Sequence, residues 1–445
     1  MQKYIKTHYS SFLLSIFILL TPAYFIMAVE AEKYDVQHCV NELERSNPTM
    51  HIGIKAIPLA PYKDGSHFVN DDPSCNLNAD HLFIPASNTK IVTALSALEY
   101  LGPDYRFETS LLFDGAIDNT TLNGSLYIKG AGDPSLTRSH LSQLIATLSS
   151  HNIVTITGNI YIDVTIFDQD FFPPGSFIDN IGYGWNAPIT GLSVDGKGVC
   201  STELNYGCLA NDDKLKANFY DIHPLLSDIL AELSISLVGT VTLKATPSDA
   251  QLLTTHRSKT VSILLQQMMK NSDNLYADCF FKKIGAIYAK LPGSWQNGEQ
   301  ILKNLIEKMA IDPKTVIIMD GSGKSRYNLI SPSHIVTMLQ WAYKQPYFSH
   351  FFNSLAIAGR DGTLQKRMPE LAGLIRGKTG TLQGVSALSG YAITGMHNEM
   401  VAFSVLVNGY IADSLYNPPC KSEIENMFCS FLIGQLDLEN SHATA

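Results

Sequence analysis

Three short strings hold the residues best suited to chemistry. Ser87-Asn88-Thr89-Lys90 sets a hydroxyl and an amine three positions apart, Ser272-Asp273-Asn274 adds a second hydroxyl and an amide, and Lys378-Thr379-Gly380 adds a second cation. A serine hydroxyl is a poor nucleophile until something removes its proton. Lys90 lies one helical turn from Ser87, so it can take that proton if burial and a nearby cation disfavour its ammonium form. Lys378 is the expected cation. The Ser272 hydroxyl can carry a proton to a departing group, with Asn274 holding Lys90 and a substrate amide in register. Lys378 and Thr379 suit a substrate carboxylate, one by charge and the other by its hydroxyl, while Gly380 lets a strand approach a bound peptide closely. Each string alone reads as a helix cap, a turn or a strand end; all three in order point to acyl transfer through a serine ester.

Those groups need elements to position them. Ile91, Val92, Leu95 and Leu98 share one face and Gly102-Pro103 ends the run, which predicts a helix with Ser87 at its N-terminus. Met50 to Ala60 reads as a strand. Val261 to Lys270 reads as an apolar helix that breaks at Asn271, and a second helix restarts near Leu275 and runs to about Tyr288, so the second string falls in the break. Ile375 to Leu382, Val385 to Thr394 and Val401 to Val407 predict an antiparallel meander that carries the third string on its first strand, and a helix from Ile424 to Leu436 closes the fold. Between Ser87 and Ser272 lie 185 positions, more than a connection inside one compact domain needs. Short β-like runs such as 124–128 and 156–162 fill this stretch, which predicts an inserted β-rich region over 103–249, within a main domain made of 32–102 and 250–445.

The flanks of the three strings, Ile84-Pro85-Ala86 before Ser87, Gly132-Asp133-Pro134-Ser135, Asp320-Gly321-Ser322-Gly323, and Thr381-Leu382-Gln383-Gly384-Val385 after Gly380, resemble the S13 family of D-alanyl-D-alanine carboxypeptidases and endopeptidases. The resemblance implies an α/β (α+β) fold of the serine β-lactamase/DD-peptidase type, an antiparallel sheet flanked by helices, with an inserted β-rich region made of two small domains. It implies an acyl-enzyme at Ser87, with Lys90, Ser272, Asn274 and Lys378 catalytic and Thr379, Gly380 and Thr381 substrate-binding. The backbone N–H groups of Ser87 and Thr381 would form the oxyanion hole. Peptidoglycan stem peptides are the implied substrates, β-lactams the covalent inhibitors and the periplasm the site of action, with no cofactor and no metal. Asp163 and Phe167 sit where family members receive the amino end of the stem's diamino acid, but a turn aspartate and a core phenylalanine explain them equally well. A β-lactamase, or a non-catalytic wall-binding protein on the same scaffold, are the competing readings.

The remaining sequence bounds this picture. A formal charge of −9 over 445 residues, with no long basic run, argues against a nucleic-acid partner. Lys3 and Lys6 precede an apolar run from Phe12 to Leu20, which predicts a signal peptide over 1–31 cleaved after Ala31, or alternatively Ala28. Thr21, Pro22 and Tyr24 interrupt the run and argue against an uncleaved anchor, and no later segment is apolar enough to span a membrane. Seven cysteines in an exported chain suggest disulfides with one thiol left over: Cys200 with Cys208, Cys420 with Cys429 and Cys39 with Cys75 are possible pairs, leaving Cys279. Gly321-Ser322-Gly323-Lys324-Ser325 imitates a phosphate loop, but Ile318 stands where that pattern needs glycine; the segment is expected to line or support a cleft, or to be an ordinary turn.

Overall fold

The computed structural model describes residues 40, 45, 48–59, 75–176, 184–199, 219–393, 399–410 and 422–442. The expected signal peptide, and Cys39, Cys200, Cys208 and Cys420, lie outside these residues, so each expected cysteine pair has at least one member outside them. Cys279 is buried on a helix as expected.

In chain order, strand β1 (His51–Pro58) leads to helix α1 (Lys90–Tyr100). Strands β2 (Glu108–Phe113), β3 (Leu126–Lys129), β4 (Ile160–Asp163), β5 (Val241–Leu243) and β6 (Gln251–Arg257) belong to the inserted region. Helices α2 (Val261–Lys270), α3 (Asn274–Ala289), α4 (Trp295–Lys308) and α5 (Pro332–Tyr343) follow. The chain then forms β7 (Ile375–Leu382), β8 (Val385–Ile393), β9 (Met400–Asn408) and α6 (Glu423–His442).

The main sheet has six strands, in the order Ala356–Ile357, β7, β8, β9, β1, Asn76–Leu77, and every neighbour is antiparallel. Its strands alternate between two cores, as side chains of period two must. Ala387 and Tyr391 of β8 and Ala402 and Leu406 of β9 face the core that α1, α2, α3 and α5 fill. Leu388, Ala392, Val401, Phe403 and Val405 face the opposite core, closed by Phe428 and Leu432 of α6. Burial on both faces explains why these strands read as near-continuous apolar runs.

The inserted region has its own core, built from Leu111, Ile128, Ile160, Ile162 and the apolar faces of helices Arg138–Ser150 and Ile222–Glu232. Its main sheet runs β5, β4, β3, β2, β6. Strand β6 pairs antiparallel with β2 from Gln251↔Phe113 to Arg257↔Glu108, so the inserted sheet ends at Arg257, beyond position 250. Among the described residues, no helix is long and apolar enough to cross a membrane.

Candidate active site

Ser87 lies in a single 3₁₀ turn, Ala86–Thr89, that runs directly into α1. Ala86 takes a positive φ of 47°, a left-handed conformation that lifts the next residue out of the helical path. Neither Pro85 nor Thr89 makes a side-chain cap. Instead Lys90 Nζ donates to Ser87 Oγ at 2.9 Å, to Asn274 Oδ1 at 2.7 Å and to the Ser322 carbonyl at 2.6 Å. The hydroxyl of Ser87 is therefore held by the amine one turn on.

The second string lies between α2 and α3. Ser272 has φ 59°, a left-handed strain of about 1–3 kcal/mol for a residue with a Cβ, and Asp273 caps α3 by accepting the Tyr276 N–H at 3.3 Å. This turn splits the two side chains between the two lysines: Asn274 reaches Lys90, and Ser272 Oγ accepts from Lys378 Nζ at 2.8 Å. Asn274 Nδ2 also donates to the Trp185 carbonyl at 2.9 Å, which ties the site to the inserted region.

The third string is on β7, an inner strand of the main sheet. Lys378 donates to the Thr379 carbonyl at 2.8 Å, and Thr379 Oγ1 to Thr363 Oγ1 at 2.7 Å. Asn88 Nδ2 donates to the Lys378 carbonyl at 3.1 Å, so the turn bearing Ser87 is bonded to the strand directly. Gly380 permits that approach: a Cβ there would lie 2.8 Å from the Pro85 carbonyl oxygen and 2.9 Å from Asn88 Nδ2. The glycine thus serves the contact between strand and nucleophile turn, a contact that sequence did not show. Thr381 is exposed and pairs across the sheet with Ser386, whose hydroxyl donates to Glu425 Oε1 at 2.6 Å.

The electrostatics differ from expectation in one respect. Both lysines are buried, and burial lowers both. Lys90 is lowered to about 8; Asp278, Asp320 and Asp273 oppose the effect of burial, and the cation that adds to it is Lys324. The repulsion between the two lysines falls on Lys378. Among the described residues no carboxylate supports Lys378, which is held well below the usual lysine range by burial and then by the charge on Lys90. Burial with no acid beside it disfavours the charged form at Lys378, whereas at Lys90 three acids oppose the effect of burial.

Residues that sequence reasoning left unassigned build the rear wall. Asp320 Oδ1 accepts from Gly323 N at 2.8 Å and Asn328 Nδ2 at 2.7 Å, and Oδ2 from Ser325 N at 2.8 Å. This locks the loop whose Ser322 and Gly321 carbonyls accept from Lys90 and from Thr93 Oγ1. Gly323 must be glycine, because it has φ 86° and a Cβ would fall 1.9 Å from the Ala86 carbonyl oxygen. Behind the loop, Lys324 Nζ lies 3.1 Å from Asp278 Oδ2, and Asp278 Oδ1 accepts the Gly321 N–H at 3.1 Å. Lys324 is thus the partner of a buried acid, and the segment supports the cleft. Asp163 Oδ1 is occupied by Thr165 N and Oγ1 and Oδ2 by Thr246 N, while Phe167 is buried against Gly132 and Gly293. These contacts favour the structural reading of both.

A serine bonded to a buried amine, a second hydroxyl bonded to a second buried amine, and a sheet strand alongside form an arrangement suited to acyl transfer. Residues 68–217 and 214–427 match the D-Ala-D-Ala carboxypeptidase 3 (S13) family. The chain is 30% identical over 398 residues to the D-alanyl-D-alanine carboxypeptidase DacB of Haemophilus influenzae, which covers 76% of this chain and 83% of that protein. It is 28% identical to a D-alanyl-D-alanine carboxypeptidase of Actinomadura sp., over 74% of this chain and 73% of that one. The crystal structure of penicillin binding protein 4 (dacB) from H. influenzae superposes with a TM-score of 0.74 at 27% identity, covering 89% of this chain and 99% of that one. The same protein in complex with a β-lactam superposes at 0.70, with the same identity and coverage. With its serine and lysines arranged as described, and matched along most of its length, the chain belongs to the D-Ala-D-Ala carboxypeptidase 3 (S13) family of serine peptidases.

Proposed function

We propose that the protein is a serine-type D-alanyl-D-alanine carboxypeptidase, and also a DD-endopeptidase, that cleaves peptidoglycan stem peptides through an ester on Ser87 and is acylated there by β-lactams. The observation that carries this reading is the contact of Lys90 Nζ with Ser87 Oγ at 2.9 Å inside a buried pair of lysines.

The chemistry follows from the proton count. In this reading the free pair holds one proton, on Lys90, because Asp278 and Asp320 favour charge there, whereas among the described residues Lys378 has only a hydroxyl and a carbonyl as acceptors. A substrate carboxylate docking beside Lys378 and Thr379 supplies the missing counter-charge. The proton then resides on Lys378, repulsion disfavours a second one on Lys90, and Lys90 becomes the base. Ser87 Oγ attacks the carbonyl carbon of the scissile bond as Lys90 takes its proton, and the carbonyl oxygen gains negative charge between the backbone N–H groups of Ser87 and Thr381. Losing one such donor costs about 3–4 kcal/mol in the barrier. As the tetrahedral intermediate collapses, the bond between the carbonyl carbon and the nitrogen of the terminal D-alanine breaks, that nitrogen takes the proton Lys90 removed from Ser87, relayed through the Ser272 hydroxyl, and D-alanine departs. Water then cleaves the ester by the same route. Among the described residues no carboxylate bonds to Ser87 or Lys90, so a penicilloyl ester has no dedicated acid-activated water and is hydrolysed slowly.

The same reading assigns residues 1–31 to a signal peptide, the mature chain to the periplasm, and the expected cysteine pairs to disulfides. It takes 32–102 and 250–445 as the catalytic unit and 103–249 as the insert; the pairing of β6 with β2 supports carrying the insert on to Arg257. Incubating the protein with a peptide ending in D-alanyl-D-alanine tests the function. Release of D-alanine by the wild type and none by Ser87→Ala is expected. Steady turnover of penicillin with no detectable D-alanine would favour a β-lactamase instead.

A further inference from the structure

Away from the catalytic lysines, α3 carries two others in sequence, with opposite surroundings. Lys282 has partners: its Nζ lies 2.6 Å from Asp168 Oδ1, 2.6 Å from the Asp170 carbonyl and 4.6 Å from the Trp295 ring centre. Lys283 is only 7% exposed, yet it makes no hydrogen bond or ion pair with any described residue; its nearest support is the Phe107 ring, at 5.8 Å. Burial lowers it to about 8, Glu108 opposing this and Lys129 adding to it.

Lys283 lines a cavity of about 620 Å³ between α3 and the inserted sheet, together with Arg106, Lys129, Arg257, Asp104 and Glu108. Glu108 is already engaged, since its Oε1 accepts from Arg257 Nε at 2.9 Å. Four cations against two acids leave the cavity positive. Its volume is that of a small-molecule site rather than of a lone ion. Lys283 is nine residues beyond Asn274 on the same helix, which places it about 13 Å along the axis and about half a turn round. The cavity is therefore on the side of α3 that faces away from Ser87.

We propose that this cavity is a second binding site, in which Lys283 receives a carboxylate of an acidic wall peptide. The choice of wall peptide rests on the function proposed above; the anion site itself does not. The Lys283 ammonium lines this cavity with no acceptor among the described residues, and a bound carboxylate supplies one. Asp104 and Glu108 on the same wall repel a multiply charged phosphate more strongly than a carboxylate, and they can accept the N–H groups of a peptide.

The test uses protein first acylated with penicillin, with the adduct confirmed by mass, so that the catalytic cleft is filled. Calorimetric titration with L-alanyl-γ-D-glutamyl-L-lysine, which lacks D-alanine, should show saturable binding. Lys283→Met, and separately a peptide with its carboxylates amidated, should each weaken it at least tenfold. Lys283→Met should also melt at a higher temperature than the wild type without ligand and be acylated at the wild-type rate; Lys283→Gln provides the same binding comparison with a polar side chain. No saturable binding, equal binding by the variants, or displacement by inorganic phosphate at concentrations below those at which the peptide binds would overturn the proposal. Absence of the penicillin adduct would instead count against the proposed function, and the same titration of the free protein would then still decide the site.

Discussion

The two catalytic lysines occupy one buried site but rest on different supports. Lys90 lies against a polar wall, with a serine hydroxyl, an amide oxygen and a carbonyl as acceptors and Asp278 and Asp320 behind them. Lys378 is on a sheet strand with a hydroxyl and its neighbour's carbonyl as acceptors and no acid. Burial alone would neutralise both. The acids decide which one keeps its charge in the empty site, and a substrate carboxylate beside Lys378 reverses the decision. Base and carboxylate receptor are thereby coupled, so that the nucleophile is activated by the group that identifies the substrate.

Removing one side of the pair gives the largest effect. Lys90→Ala takes away the amine bonded to Ser87 and should slow penicillin acylation by about 10⁴-fold, the upper end of what a general base contributes; labelling measured against time would show it. Lys378→Met should leave Ser87 and Lys90 in contact but lower kcat/KM for a D-alanyl-D-alanine peptide by about a hundredfold, the worth of a charged hydrogen bond. With the peptide's terminal carboxylate amidated, wild type and variant should converge. Gly380→Ala should push β7 away from the Ser87 turn, because its Cβ would lie 2.8 Å from the Pro85 carbonyl oxygen. A loss of about 1–3 kcal/mol in stability, read by denaturant unfolding, is expected, with slower acylation. Asp278→Asn should have the smallest effect on the maximal rate and act on its pH dependence. The charge on Asp278 raises Lys90 and that on Lys324 lowers it, so losing the acid and leaving Lys324 unpaired both move the last proton of the pair to lower pH. The alkaline limb of acylation should move toward neutral.

Much of this was legible before any coordinates. The helices Val261–Lys270 and Lys90–Tyr100 follow from apolar spacing, and β7, β8 and β9 from apolar runs separated by turns. Ser87, Lys90, Ser272, Asn274 and Lys378 declare themselves by residue type, and all five meet. What sequence did not show depends on contacts between distant positions. The Ser322 carbonyl that holds Lys90 is 232 positions away, and a carbonyl carries no residue signature. Asp278 is four positions after Asn274 on α3 and shares its face, a spacing that could have marked it; the segment of its partner Lys324 is legible as a cleft support, but the pairing with Asp278 is not. The role of Gly380 depends on the distance between strand and turn, and the sharing of charge between the lysines on where the acids fold.

The central claim, one proton shared by two lysines, is tested most directly by the pH dependence of the second-order rate at which penicillin acylates Ser87, followed by mass spectrometry with mapping of the modified peptide. That rate reports the protonation of the free enzyme. The account predicts an adduct on Ser87 alone, at a rate level through neutral pH and falling above about 8 as the pair loses its last proton from Lys90. A rate that climbs as pH is raised through 8, as an isolated lysine base would give, or an adduct on another residue, would contradict it.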